Sequence, residues 1–222
     1  MSWLAGREEE LPPGEAWLTG AEREVLSRLR VPKRRGDWLL GRWVAKRALV
    51  LAGEAETENG VAIVASASGA PEAFLPNGHP VGVSLSLTHS HGVAVAALGL
   101  AEIRLGVDLE AIEERPAAFL ADWFTPAEQA FVAESDAGTA ALAATLVWSA
   151  KESVMKALRE GLRIPPKAVE VSPERGPADG TWRPFVARGP GDDAWRGWWR
   201  TEAGFVLCAV ASPASGPPRP IG

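Results

Sequence analysis

The sequence predicts an α+β fold made of two similar α/β halves, related by a pseudo-two-fold internal duplication. Two observations carry this. A long helical pattern followed by strands occurs twice along the 222 residues. The repeated pieces also keep their distance: "KRALVLAG" and "MKALREG" each end a helix, with Leu49 and Leu158 109 positions apart, and "HGVAVAAL" and "AGFVLCAVA" place Gly92 and Gly204 112 apart. Both offsets are near half the chain, as a duplicated unit requires.

The elements follow in order. "LTGAEREVLSRL" (Leu18 to Leu29) reads as a helix, with Thr19 or its neighbour as the cap. "GDWLLGRWVAKRALVLAG" (Gly36 to Gly53) is a stronger one, with Leu39, Leu40, Val44, Leu49 and Val50 near the helical period. Arg35, Arg42 and Lys46 fall on one side of it, which is read as basic. Ser66 to Pro80 reads as loop, punctuated by Gly, Pro and Asn. Val81 to Leu87 alternates apolar with small polar residues, predicting a half-buried strand, and "GVAVAALGL" and "EIRLGVDLE" predict two more. "FTPAEQAFVAE" opens a helix with Thr125 as cap, Pro126 at the first position and Glu128 completing a capping box. The longest helical pattern runs from Thr139 to Gly161. "AVEVSP", "TWRPFVAR", "AWRGWWRTE" and "GFVLCAVAS" read as antiparallel strands. The division expected is 1–100, 101–212 and a disordered tail, 213–222.

Composition narrows the function. Hydrophobic residues at 46% and charged residues at 23% are those of a water-soluble globular chain. The apolar runs are too interrupted for a membrane span, and the N-terminus lacks a signal-peptide pattern, so a cytoplasmic protein is expected. The single cysteine, Cys208, excludes an intrachain disulfide and a multi-cysteine zinc site. Net charge is −5, yet Arg28, Arg30, Lys33, Arg34, Arg35, Arg42, Lys46 and Arg47 stand against one acid, Asp37. An acidic chain with one basic segment points to a local anion site, with no nucleic acid and no membrane as partners.

Three groups carry chemistry. Asp108 and Glu110, two apart on a strand, aim to one face, and paired carboxylates repel unless a cation lies between them. Mg²⁺ takes such oxygen ligands together with phosphate oxygens. Lys151, Glu152 and Lys156 sit in a strongly apolar helix, with Glu152 and Lys156 on one face. Thr88, His89 and Ser90 end a strand and offer hydrogen bonds to a phosphate. Each group alone has a plainer reading as surface charge or surface polarity.

Taken together, "SLSLTHSHGVAVAAL", "GVDLE", "FTPAE" and "WSAKESVMKALREGL" resemble the large, pseudo-dimeric class of 4′-phosphopantetheinyl transferases. The resemblance spans roughly Gly36 to Val171. It implies that fold, and transfer of the phosphopantetheine arm of coenzyme A to a serine of an acyl or peptidyl carrier protein, releasing 3′,5′-ADP. It further implies that Asp108, Glu110 and Glu152 hold Mg²⁺, that Lys156, with Lys151 beside it, contacts phosphates, and that His89 binds a coenzyme A phosphate between Thr88 and Ser90. Either Glu152 or a metal-bound water would be the base. Arg34, Arg35, Arg42 and Lys46 are the expected partners of the 3′-phosphate, Arg35 and Arg42 foremost. Two departures stand out. Gly69-Ala70-Pro71 replaces the family's Gly-Lys-Pro, and Thr88 stands where serine is usual. Phe119, Trp123, Phe124 and Phe131 are expected to meet the carrier, and the protein is expected to be a monomer. The competing classes are a Mg²⁺-dependent nucleotide phosphohydrolase and a nucleic-acid module built on the basic helix.

Overall fold

A computed structural model describes residues 1–160 and 163–222. The chain divides into two compact units. One comprises Met1–Ile103 with Arg219–Gly222, the other Arg104–Pro218.

In the first unit, β1 (Ser2–Arg7) precedes α1 (Gly20–Arg28) and α2 (Pro32–Leu51), then β2 (Ala62–Ala65), β3 (Pro71–Phe74), β4 (Val83–Ser90) and β5 (Val93–Leu100). The second unit holds β6 (Arg104–Ala111), α3 (Ala117–Trp123), α4 (Pro126–Ala133), α5 (Ala140–Ala157), β7 (Glu170–Pro173), β8 (Arg183–Arg188), β9 (Ala194–Glu202) and β10 (Phe205–Ser212), before β11 (Arg219–Pro220) returns to the first. The sheets are ordered β11-β1-β5-β4 and β6-β10-β9-β8-β7, with β2 and β3 as a separate pair.

Each unit lays one long helix on one sheet. Leu40, Val44, Ala48 and Leu49 of α2 are buried in one cluster with Leu85 of β4 and Ala94, Ala96 and Leu98 of β5. Leu146, Val147, Ala150 and Val154 of α5 are buried in another with Val206, Cys208 and Val210 of β10 and Trp195 and Trp199 of β9. Two-residue hairpins join corresponding strands. His91 (φ 48°) and Gly92 (φ 73°) link β4 to β5, and Ala203 (φ 49°) and Gly204 (φ 86°) link β9 to β10. Positive φ at both turn residues matches the right-handed twist of the flanking strands.

The duplication extends to buried charge. Thr19 and Glu22 form a capping box at the start of α1, and Thr125 and Glu128 form one at the start of α4. Glu22 also accepts from the backbone of Ile63 at 3.0 Å, and Glu128 from Val171 at 2.8 Å. Into each glutamate comes a fully buried lysine, Lys46 to Glu22 and Lys151 to Glu128. Each ammonium spends its other protons on carbonyls: Lys46 on Trp17 and Glu58, Lys151 on Pro166 and Val169. Thus "LTGAE…WVAK" and "FTPAE…WSAK" are one structural motif used twice.

Several expectations are corrected. The tail is not disordered throughout: Ser2 and Trp3 pair in parallel with Arg219 and Pro220, and Ile221 donates to the Trp3 carbonyl at 2.8 Å and packs on the core. The loop expected at 66–80 contains β3, a four-residue strand opened by Pro71, where a missing N–H costs no ladder bond. α2 begins at Pro32, since proline suits the first helical position. β4 is not half-buried, because Ser84, Ser86 and Thr88 are buried too. The closing Gly161 lies outside the described residues; α5 itself ends at Ala157.

Removing one partner from a buried ion pair strands the other without compensation. Lys46→Met is expected to lower stability by about 3–5 kcal/mol in urea unfolding. Lys151→Met is expected to do the same.

Candidate active site

The carboxylates are placed by the contact of β6 with α5. Gly106 lies so close to α5 that an added Cβ would stand 1.8 Å from the Ser153 carbonyl oxygen. Two residues on, the Asp108 backbone carbonyl accepts from the Ser149 hydroxyl at 3.2 Å. Its carboxylate accepts from Lys156 at 2.7 Å, and the same ammonium donates to the Val107 carbonyl at 3.2 Å. Two residues further, Glu110 accepts from Arg115 at 2.9 Å and from the Trp148 indole. Trp148, Glu152 and Lys156, at four-residue spacing, form one stripe of α5.

Charge couples these groups. Burial first, and then Asp108, push the Glu110 carboxyl above the usual range, while Arg115 and Trp148 oppose. Glu152 is pushed up to about 7, first by burial and next by Asp108, with Glu110 adding and Lys156 opposing. Asp108, Glu110 and Glu152 therefore share one field. Their oxygens are the donor set of a hard divalent cation. Among the described residues, however, no group of three His, Cys, Asp or Glu side chains stands in a metal-ligating arrangement. Asp108 and Glu110 are engaged instead by Lys156 and Arg115.

A second cleft, of about 540 Å³, lies in the first unit between the start of α2, the end of β4 and the turn before β3. Lys33, Arg34, Trp38, Arg42, Pro71 and His89 are among its walls. The Arg42 guanidinium lies 4.6 Å over the Trp38 ring, and its buried Nε has no hydrogen-bond partner. Burial lowers its proton affinity and Glu22 counters that. His89 is half exposed, with Nδ1 4.0 Å from the Asp37 carboxylate. Gly69 and Pro71, flanking the alanine that replaces the family's lysine, also line the cleft.

The expected site residues thus separate into those the structure brings together and those it does not. Asp108, Glu110, Glu152 and Lys156 meet on β6 and α5. Arg34, Arg42 and His89 meet in the cleft. Lys46 and Lys151, expected to bind cofactor, are instead fully buried and spent on Glu22 and Glu128. Arg35 is held by Glu15 at 2.8 Å and the Leu26 carbonyl at 2.9 Å, away from the cleft lining. Thr88 is buried, and Ser90 bonds the neighbouring His91 ring at 3.1 Å. Phe124, expected to face a carrier, has no exposure at all, whereas Trp123 is 37% exposed. Sequence reasoning missed Arg115, Trp38 and Trp148. The signal for Trp148 was its place one turn before Glu152; Arg115 had none beyond nearness to Glu110.

Residues 21–99 match the 4′-phosphopantetheinyl transferase N-terminal domain, and residues 104–207 match the 4′-phosphopantetheinyl transferase superfamily. No curated protein matches the chain. With both domains accounted for over most of its length, the chain belongs to the 4′-phosphopantetheinyl transferase superfamily. No helix among the described residues is long and apolar enough to cross a membrane.

Gly106→Ala is expected to cost about 1–3 kcal/mol by forcing β6 from α5, and to separate Asp108 from Lys156. Urea unfolding reads the first effect. A loss of transferase activity in the folded variant reads the second.

Proposed function

We propose that the protein moves the 4′-phosphopantetheine arm of coenzyme A onto a serine hydroxyl of an acyl or peptidyl carrier protein and releases 3′,5′-ADP. The observation that carries this is the coupled set Asp108, Glu110, Glu152 and Lys156 on β6 and α5, in a chain of this superfamily. Transfer at phosphorus needs negative charge neutralised and the reactants aligned more than it needs covalent help.

Asp108, Glu110 and Glu152 are the residues we assign to Mg²⁺. When bound, the ion neutralises charge on the pyrophosphate of coenzyme A. Lys156, whose side chain is 29% exposed, is the cation assigned to phosphate beside it. The carrier serine is a weak nucleophile until a base takes its proton. Glu152, whose proton affinity burial and Asp108 raise to about 7, is assigned that part.

Arg42, Arg34 and His89 are assigned to a phosphate of coenzyme A in the cleft of the first unit. Arg42 stands in the cleft wall with its guanidinium 4.6 Å over the Trp38 ring, and a guanidinium suits a phosphate. Lys33, which pairs with Asp37 at 2.8 Å on the same walls, is assigned as the cation in place of the motif lysine. Trp123 and the ring cluster beneath it are assigned to the carrier surface.

Intact-mass spectrometry over a panel of carrier proteins tests the reading. With coenzyme A and Mg²⁺, a carrier is expected to gain the mass of the arm, and Asp108→Ala is expected to abolish the gain. Release of phosphate from coenzyme A with no acceptor present would instead mark a phosphohydrolase. Arg42→Ala is expected to raise KM for coenzyme A roughly 10- to 100-fold, the loss of a hydrogen bond to a charged group. Arg35→Ala is expected to leave KM nearly unchanged in the same steady-state assay.

A further inference from the structure

We propose that Arg115 is the resident counter-ion of the acid cluster: it pairs with Glu110 and gives that carboxylate up when a divalent cation binds. This rests on the assignment of Asp108, Glu110 and Glu152 to Mg²⁺ above. Arg115 is then a positioning residue, and a competitor of the ion.

The geometry of the contact is that of a replaceable partner. Arginine binds a carboxylate most firmly with two parallel prongs. Here the contact runs through Nη2 at 2.9 Å, while Nε of the same guanidinium is buried without a hydrogen-bond partner. The two side chains retain 18% and 27% of their exposure, so the pair is neither sealed nor freely solvated. Arg115 also comes from Ile112–Pro116, a stretch between β6 and α3 without regular structure, so its side chain can shift without disturbing a strand or a helix.

The guanidinium holds a second contact at the same time. The guanidinium lies 5.2 Å from the centroid of Phe119. That ring is itself fixed edge-on by Trp148 at 5.0 Å and Phe124 at 5.9 Å. A cation over an aromatic face is attracted to it without any carboxylate. Arg115 therefore has somewhere to stay when it leaves Glu110. Trp148 closes the circuit, since it donates to Glu110 and packs on Phe119.

The test is Mn²⁺ binding to the full chain by calorimetry, with no coenzyme A present. Arg115→Gln removes a positive charge from beside the ion and is expected to bind Mn²⁺ several-fold more tightly than the wild type. Arg115→Lys keeps the charge and is expected to restore wild-type affinity. A residue that merely braced Glu110 would give the opposite sign, so equal or weaker binding by Arg115→Gln overturns the proposal. Equal tightening by Arg115→Lys does so too. In the wild type, the Arg115 Nε–H resonance is expected to move on saturation with Mg²⁺, a readout independent of how the variants fold; a resonance that stays in place overturns the exchange. If the wild type binds no Mn²⁺ at all, the metal assignment falls and the exchange falls with it. If the wild type binds and the variants fail as stated, the exchange alone is wrong.

Discussion

The buried lysine–glutamate pair, used once in each unit, is the constraint on which the other placements depend. A lysine in the interior is tolerated only when its charge is met and its protons are all used. Lys151 meets Glu128 and two carbonyls; Lys46 meets Glu22 and two carbonyls. These demands fix how far each long helix is rotated and how far it slides. With 3.6 residues per turn, an anchored Lys151 leaves no choice about where Trp148, Glu152 and Lys156 lie. They lie against β6, and there the acids are. An anchored Lys46 in the same way sets Arg42, one turn earlier, at the wall of the cleft.

One scaffold therefore presents two opposite charges. The residue after the buried lysine is Arg47 in the first unit and Glu152 in the second. Three residues before the buried lysine stands a tryptophan in both, Trp43 and Trp148. Arg47 lies 5.5 Å over Trp43, whereas Trp148 donates to Glu110 beside Glu152. The first unit lines its cleft with Arg34 and Arg42. The second has gathered carboxylates. The capping boxes, the buried lysines and the two-residue hairpins stayed alike, because they serve folding and not chemistry.

Much of this was legible in the sequence, and the gaps have physical causes. Thr125 with Pro126 and Glu128 announced a helix start because capping is local chemistry. Asp108 and Glu110 announced a shared face because a strand alternates. Lys46 misled because charge in a sequence carries no depth. Read beside Arg35 and Arg42 it seemed part of a basic face. Yet its neighbours Ala45, Ala48 and Leu49 are apolar, and that was the signal that it lies inside. The repeat "T-x-A-E…W-x-A-K" was present as well, and would have shown that Lys46 and Lys151 share a role. β1 and β11 were missed because their pairing joins the two ends of the chain, which no local pattern records. Arg115 was missed because its position depends on a turn of irregular backbone.

The charge balance of the second unit explains why the acids can coexist at all. Asp108, Glu110 and Glu152 bring three carboxylates to one strand–helix face, and Lys156 and Arg115 bring two cations. Full ionisation would leave one negative charge uncompensated in a poorly solvated place. It is Glu152 whose proton affinity rises to about 7, with burial as the first cause and Asp108 as the second. The cluster thus stands one positive charge short, and a proton on Glu152 is the nearest remedy the chain itself provides. Burial this close to α5, enforced by Gly106, makes the deficit felt. The packing that holds β6 on α5 and the electrostatics of the three carboxylates are therefore linked through Gly106 and Asp108, two residues apart on one strand.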